Sequence, residues 1–241
     1  MIPLFVGQDA REAIGLSVFC HSVWSRTSQP VSITPISATT DGTNAFTLAR
    51  FLIPHYMGYQ GFAIWADGSD MLCLADIAHL WDLRNPYYAV QVVKHDYETN
   101  WPVKYLGQKN LNYPRKNWSS LMLINCNHFH WRNKVTPENI HELSSSVLPR
   151  FEFIKDEFIG ALPARWNYLC NEPNQQGPAK IAHYTVGLPV WYSNGEYADE
   201  WRMEQKRANY YQYWTPSRTS PPSTDAAPPA CDTPQRLQDG S

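Results

Sequence analysis

The chain has 241 residues, which is long enough for one domain of about 200 residues with a short appendage and too short for two full domains. Hydrophobic residues make up 43% of the chain and aromatic residues 14%, so we expect a globular body that is rich in stacking side chains. The formal net charge of −2 lacks the broad basic field of a nucleic-acid-binding protein, and no nucleic-acid partner is expected.

The cysteines and the N-terminal sequence favour a reduced, cytoplasmic protein. The five cysteines stand singly without a C-x-x-C pair, which argues against a zinc site and against a disulfide framework. The first residues, MIPLFVGQDAREA, lack the basic lead of a signal peptide, and no apolar run approaches the roughly 18 residues of a membrane span. We therefore expect no transmembrane segment.

Short apolar runs alternate with amphipathic segments along the first third of the chain. The run IPLFV predicts a strand that ends at Gly7, and a helix follows with Asp9 as its N-cap and Glu12 in a capping-box position. The next predicted elements are a strand in VSITPIS, a helix from about Asn44 to Ile53 and a strand from Phe62 to Ala66.

The same alternation continues through the rest of the body. LADIAHLWDL has helical spacing, YAVQVV and SSLMLINC predict strands, TPENIHELSS predicts a helix that Thr136 caps, and AKIAHYTV predicts a late strand. Strands separated by helices predict an α/β fold in which helices flank a mostly parallel central sheet. In such a fold, ligands bind beyond the carboxyl ends of the strands.

The composition changes near the C-terminus. The segment after Trp214 contains six prolines and no aromatic residue, so we expect residues 215–241 to be a disordered tail behind a domain of residues 1–214. Just before it, DEWRMEQKRANYYQYW predicts a charged, aromatic helix that docks on the body, with contact to a membrane or a partner as the alternative.

Two carboxylates follow the apolar strand AIWA, at the place where α/β proteins hold ligands. Asp67 and Asp70 are separated only by Gly68 and Ser69, and a tight turn can bring such carboxylates onto one divalent cation. Hard oxygen ligands favour Mg²⁺ or Mn²⁺ over zinc. The alternative is that one of these aspartates caps a following helix or forms an Asx-turn.

The segment FAIWADGSDMLCLADIAHLW resembles the metal-binding strand of GT-A fold glycosyltransferases, particularly family 8 with its glycogenin and galactosyltransferase-like members. Four more segments resemble motifs of that family in the correct order: FTLARFLIP, NWSSLMLINC, KDEFIGALPARWN and HYTVGLPVW. The chain departs from the family in having D-x-x-D for D-x-D, and Pro189 stands at the place of a phosphate-contacting lysine in the last motif.

The resemblance implies a metal-dependent, retaining glycosyltransferase that uses a nucleotide sugar, with a UDP-sugar as the first expectation, and a carbohydrate or glycoconjugate as acceptor. It implies Mn²⁺ or Mg²⁺ held by Asp67, Asp70 and His183. It also implies catalytic roles for Asp156, Asn117 and Arg50, and a nucleotide-sugar site that comprises Gly7, Asp9, Arg50, Asp67, Ser69 and Lys116.

Each of these residues also has an ordinary structural interpretation. His183 could be a histidine with satisfied hydrogen bonds, Arg50 a surface arginine, and Asp156 a residue that favours a helix N-terminus electrostatically. Asn117 and the serines after it could satisfy a turn before the strand LMLIN. The segments Lys94–Asp96 and Arg115–Trp118 could line an acceptor or diphosphate site or be solvated loops.

Two other functions remain open from the sequence. A Mg²⁺-dependent nucleotidyltransferase also needs carboxylates that hold a metal beside a nucleotide, but VGQDAREA is poor in the glycines and cations of its phosphate loop. A catalytically impaired carbohydrate-binding or scaffold protein of the same fold would keep the aromatic residues and lose turnover.

Overall fold

The structure is a computed structural model that describes residues 1–37, 46–104, 107–132, 134–140, 142–143, 147–191 and 195–209. The chain from Met1 to Asn209 forms one compact unit. The predicted tail from Thr215 and the predicted helix start at Asn44 lie outside the described residues. Within the described ranges, no helix is both long and apolar enough to cross a bilayer.

The regular elements are eleven strands and five helices among the described residues. The strands are β1 (Ile2–Gly7), β2 (Val31–Ile36), β3 (Phe62–Ala66), β4 (Met71–Cys73), β5 (Val90–Val92), β6 (Val103–Lys104), β7 (Gln108–Lys109), β8 (Leu121–Asn125), β9 (Ile159–Ala161), β10 (Tyr168–Leu169) and β11 (Ile181–His183). The helices are α1 (Ala13–Trp24), α2 (Ile53–Tyr56), α3 (Ala78–Trp81), α4 (Phe129–Arg132) and α5 (Ala198–Ala208).

The central sheet has six strands in the order β2-β1-β3-β8-β5-β9. Five of these strands run in one direction, and β8 is antiparallel to its neighbours β3 and β5. This arrangement confirms the mostly parallel sheet. It also confirms that Phe62–Ala66 is a central strand, since its last four residues have no exposed surface.

The core occupies both faces of this sheet because neighbouring side chains of a strand point in opposite directions. On β3, Trp65 packs in one apolar cluster with Phe46 and Trp131, whereas Ile64 packs in the other cluster with Phe19 of α1. Apolar packing on both sides explains why the strand reads as a continuous hydrophobic run.

A second, three-stranded sheet has the order β10-β11-β4, and the predicted strand in AKIAHYTV belongs to it rather than to the central sheet. β4 begins directly after the acidic turn and pairs antiparallel with β11, which places His183 opposite Met71. This pairing brings a residue far along the chain next to Asp70.

The helices differ more from the sequence predictions than the strands do. The helix expected to start at Asp9 is a short 3-10 turn, residues 10–12, followed by α1. The helix expected up to Ile53 is a 3-10 segment that continues into α2. The described part of TPENIHELSS forms hydrogen-bonded turns, where we predicted a helix.

The predicted docking of the C-terminal helix is confirmed. Trp201 of α5 is fully buried, and Glu204 is buried against α1, where its carboxylate pairs with His21 and with Arg26 at 2.7 Å. Burial alone would raise the pKa of Glu204, but the hydrogen bonds from Arg26 and His21 hold that pKa below its usual value. α5 is therefore fixed to the body by apolar burial and by a buried ion pair.

Candidate functional site

The acidic turn between β3 and β4 is held by backbone hydrogen bonds. The Asp67 N–H donates to the Ser120 carbonyl at 2.9 Å, and the Met71 N–H donates to the Gly68 carbonyl at 3.0 Å. Gly68 has a φ of +73°, a left-handed conformation that favours glycine. A strand follows this turn, so the alternative that Asp67 or Asp70 caps a following helix is wrong.

Three side chains converge at this turn in the geometry of a metal site. Asp67, Asp70 and His183 each offer a ligand atom, and these atoms lie within 4.8 Å of one another. His183 Nε2 is 3.2 Å from Asp70 Oδ2. Asp70 Oδ1 is buried and has no hydrogen-bond partner among the described residues, so a cation would satisfy an otherwise unpaired oxygen. The residues present therefore fit a divalent cation.

The protonation equilibria at the site reflect crowded negative charge. Burial raises the pKa of Asp67 to about 6, although Arg50 opposes the shift. Burial and the charge of Asp70 together raise the pKa of Glu12 to about 7. Burial alone would lower the pKa of His183, but the charge and hydrogen bond of Asp70 shift it upward. A divalent cation would relieve this crowding because its charge favours the ionised carboxylates.

Glu12 is a member of the site that the sequence interpretation missed. Glu12, which we assigned to a capping box, is 6% exposed, and its carboxylate accepts a hydrogen bond from Ser69 Oγ at 2.7 Å. Helix α1 can approach the turn this closely because Gly15 lacks a side chain, and a Cβ there would lie 1.8 Å from the Ser69 carbonyl oxygen. Only the tertiary contact shows this role, since the S/T/D-x-x-E pattern is satisfied equally well by a cap.

Asn167 fixes the orientation of the His183 ring. The Asn167 side-chain nitrogen donates to the Asn117 carbonyl at 3.1 Å and to Ser120 Oγ at 2.9 Å, and a carbonyl can only accept. Asn167 Oδ1 must therefore face His183 Nδ1, which lies 2.9 Å away, and Nδ1 carries the proton. In the neutral ring, the lone pair then belongs to Nε2, the nitrogen that faces Asp70.

Arg50 is buried, and the alternative of a surface arginine is wrong. It is 7% exposed, and its guanidinium lies 5.4 Å and 5.2 Å from the ring centroids of Phe46 and Trp65. Arg50 Nη1 is 2.7 Å from Asp67 Oδ1, which also accepts a hydrogen bond from Trp65 Nε1. Because both contacts use Oδ1, the second oxygen of Asp67 remains for a cation.

Asn117 and the two serines after it lie at the carboxyl edge of the central sheet. β8 runs antiparallel to its neighbours, so its first residue is at the edge where β3 ends. Asn117 has a φ of +62°, and its side-chain nitrogen donates to the Tyr97 hydroxyl at 2.7 Å. Asn125, at the other end of β8, lies at the opposite edge and bonds the Pro86 carbonyl.

The polar segments after β5 and before β8 lie beside this site. Lys116 is 7% exposed and donates to Asn110 Oδ1 at 2.7 Å, and burial lowers its pKa. Burial and the nearby charge of His183 lower the pKa of His95 to about 3, so its imidazole is neutral at physiological pH. Lys94 lies over the Trp118 ring, 5.8 Å from its centroid. The burial of Lys116 does not fit the alternative that its segment is a solvated loop.

Gly7 and Asp9 lie beyond the end of β1, and their described contacts are structural. A Cβ on Gly7 would lie 2.7 Å from the ring of Phe46. The Asp9 carboxylate accepts a hydrogen bond from the Arg11 N–H at 3.0 Å and so caps the 3-10 turn that follows. Their part in ligand binding stays a prediction.

Asp156 is not brought to the acidic turn by any contact in the described part of the chain. Its side chain is 78% exposed and forms an ion pair with Arg115 at 2.6 Å. The site that the structure assembles from predicted residues thus comprises Asp67, Ser69, Asp70 and His183, with Arg50 paired to Asp67 and Asn117 linked to His183 through Asn167.

Comparison with solved structures shows the class of fold. The WbbM bifunctional glycosyltransferase matches with a TM-score of 0.59 and 15% identity, over 88% of this chain and 50% of that chain. The galactosyltransferase LgtC, solved with donor and acceptor sugar analogues, matches with a TM-score of 0.57 and 14% identity, over 86% and 96%. GlyE of Streptococcus pneumoniae TIGR4 matches with a TM-score of 0.57 and 16% identity, over 85% and 61%.

The chain therefore has a glycosyltransferase fold of the GT-A type, and it spans about half of the WbbM chain and about three-fifths of the GlyE chain. No family model matches the sequence. Protein CDI of Arabidopsis thaliana is 38% identical over 229 residues, which cover 86% of each chain. The chain belongs to the family of Protein CDI.

Proposed function

We propose that this protein is a metal-dependent glycosyltransferase that uses a nucleotide-sugar donor, with a UDP-sugar as first choice, and that it resembles family 8 in retaining the anomeric configuration. The observation that carries the proposal is the convergence of Asp67, Asp70 and His183 beyond the carboxyl end of β3, with a buried oxygen of Asp70 left unpaired. A GT-A type fold around that site supports the same class of reaction.

The reaction transfers the sugar from a diphosphate to an acceptor hydroxyl. The acceptor oxygen bonds to the anomeric carbon, the bond from that carbon to the diphosphate breaks, and the nucleoside diphosphate leaves with the electron pair and takes up the acceptor proton. Mn²⁺ or Mg²⁺, when bound, stabilises the negative charge of the departing diphosphate.

The protein's own residues prepare the metal site. Asn167 keeps the lone pair of His183 on Nε2, and Arg50 fixes one oxygen of Asp67 so that the other faces the site. Asn117 supports this arrangement by accepting a hydrogen bond from Asn167, and we assign it a place beside the donor sugar.

The remaining assignments rest mainly on the sequence motifs. We propose that Gly7, Asp9, Ser69 and Lys116 border the nucleotide sugar, and the burial of Lys116 supports a role beyond solvation. Asp156 keeps the catalytic role that its motif implies, supported by the motif alone. The four cysteines that the structure describes are free thiols, which supports the predicted cytoplasmic location.

A second function, carbohydrate binding without turnover, is favoured by one observation. Arg50 forms an ion pair with Asp67, so a cation has to share this carboxylate with a guanidinium. If that competition prevents metal binding, the fold would keep its carbohydrate contacts without stabilising a leaving diphosphate.

Calorimetric titration of UDP with and without Mn²⁺ tests the proposal. We expect metal-dependent binding that weakens at least tenfold in Asp70→Asn and less in Asp67→Asn, with Asp199→Asn as the control because its side chain is 90% exposed. Wild-type binding that ignores Mn²⁺ would overturn the metal site. Carbohydrate binding by a wild type that shows no Mn²⁺-dependent UDP binding and hydrolyses no nucleotide sugar of a donor panel would favour carbohydrate binding without turnover.

A further inference from the structure

A surface cleft of about 580 Å³ lies on the polar segments that follow β5 and precede β8. Its volume is within the range of about 300–1,000 Å³ that is typical of small-molecule sites. Its lining includes Asp96, Tyr97, Glu98, Asn112, Tyr113 and Asn174. None of these residues belongs to the metal centre described above.

Hydrogen bonds connect this cleft to the metal centre. The Tyr97 hydroxyl accepts from the side chain of Asn117, the Asn117 carbonyl accepts from Asn167, and Asn167 bonds His183. Burial raises the pKa of Tyr113, and the charges of Arg50 and Asp67 also act on that phenol, which places Tyr113 within electrostatic reach of the acidic turn. The cleft is therefore linked to the metal centre through Asn117 and Asn167.

The chemistry of the cleft fits a sugar ring. Tyr97 and Tyr113 offer aromatic faces for the apolar face of a pyranose, and the side chains of Asn112 and Asn174 offer both donors and acceptors for hydroxyl groups. Asn174 has a φ of +63°, a conformation that asparagine tolerates better than most residues.

The charge of the lining disfavours an anionic ligand. Asp96 and Glu98 are carboxylates, and no lysine or arginine lines the cleft within the described residues. Two cations lie against the aromatic rings: Lys116 is 5.6 Å from the Tyr97 centroid and Arg150 is 5.7 Å from the Tyr113 centroid. Lys116 donates a hydrogen bond to Asn110 Oδ1 at 2.7 Å, and neither Lys116 nor Arg150 is among the described residues that line the cleft.

We propose that this cleft is the acceptor subsite and that it takes an uncharged, hydroxyl-rich ring, the neutral sugar of a glycan or glycoconjugate, in preference to an acidic sugar. The role of this sugar as the acceptor rests on the proposed function, whereas the binding of a neutral sugar in the cleft does not depend on it. The two carboxylates select against acidic sugars, and the two tyrosines hold the ring.

Saturation-transfer NMR on the full chain tests the proposal with lactose, cellobiose and maltose as neutral probes and glucuronate and galacturonate as anionic probes. We expect at least one neutral disaccharide to bind, with a Kd about tenfold weaker in Tyr113→Ala. Tyr56→Ala is the matched control, because Tyr113 and Tyr56 are 40% and 49% exposed. The double variant Asp96→Asn/Glu98→Gln should gain affinity for the uronates and keep its affinity for the neutral probe.

Several results would overturn the assignment. Binding of no neutral disaccharide, equal or tighter binding of the uronates by the wild type, or equal losses in Tyr113→Ala and Tyr56→Ala would each exclude a neutral-sugar site in the cleft. Displacement of the bound disaccharide by UDP and Mn²⁺ would show that the cleft belongs to the donor. If the wild type binds the disaccharide but shows no metal-dependent UDP binding, the proposed function is rejected and the neutral-sugar site is retained.

Discussion

Replacement of Glu12 by Gln should stabilise the metal-free protein at neutral and alkaline pH. Glu12 is 6% exposed, and burial together with the charges of Asp70, Asp9 and Asp67 makes the ionised form of its carboxylate unfavourable in the folded chain. Glutamine keeps an oxygen that can accept the hydrogen bond from Ser69 Oγ and removes the charge.

The expected magnitude follows from the pKa of Glu12. The pKa rises from 4.5 to about 7 on folding, a difference of about 2.5 units, and each unit corresponds to about 1.36 kcal/mol. Because the folded chain binds this proton more tightly, the proton stabilises the fold fully below pH 4.5, and this stabilisation is lost as the pH rises through 7. Glutamine does not titrate, so Glu12→Gln and the wild type should have nearly equal free energies of unfolding near pH 4.5. Above pH 7 the free energy of unfolding of the variant should be higher by up to about 3 kcal/mol.

Urea denaturation in EDTA at pH 5, 6.5 and 8 measures this effect as a change in the free energy of unfolding. Glu157→Gln is the control, because that side chain is 56% exposed. Saturating Mn²⁺ should reduce the advantage of Glu12→Gln, since a cation at the acidic turn compensates the same charge. A change that is equal at all three pH values, or a loss of stability at pH 8, would refute the reasoning.

Three other substitutions probe the supports of the site. Asn167→Leu should lower the free energy of unfolding by about 3 kcal/mol, because three hydrogen bonds are lost, two of them buried, and ¹⁵N spectra should show that His183 no longer holds its proton on Nδ1 alone. Glu204→Gln should lower the thermal midpoint at pH 7, and this loss should shrink as the pH falls below 4.5, because the pKa of this carboxyl is lowered on folding and its stabilisation is lost as it becomes protonated. Gly15→Ala should weaken Mn²⁺-dependent UDP binding measured by calorimetry, because the new Cβ would displace the Ser69 carbonyl and the acidic turn with it.

The sequence predicted the parts of the molecule that local patterns determine. An apolar run flanked by helical segments is enough to predict the buried strand Phe62–Ala66, and the carboxylates after it lie where strand ends place ligands. Glu12 could not be found in this way, because its partner Ser69 is far along the chain and the approach depends on how α1 packs. The sequence showed Asn167 only as part of a motif. Its role in orienting His183 depends on how separate segments of the chain pack together.

The short helices show the same limit. The sequence around Arg50 has helical spacing, yet the structure forms a 3-10 segment and one turn of α-helix, and this places the guanidinium against the rings of Phe46 and Trp65. Packing of an aromatic cluster outweighs the small differences in local helix propensity. Neither the burial of Arg50 nor its ion pair with Asp67 could therefore be derived from periodicity.

The extra residue in the D-x-x-D turn has a structural reason, because the turn joins two sheets. Asp67 is tied to the central sheet, since its N–H donates to the Ser120 carbonyl just before β8. Asp70 is tied to the second sheet, since its carbonyl accepts a hydrogen bond from the Tyr184 N–H, next to His183. The two residues between the aspartates, with Gly68 in a left-handed conformation, span this junction. The spacing therefore matches the distance between two independent anchors, and each anchor fixes one carboxylate of the proposed metal site.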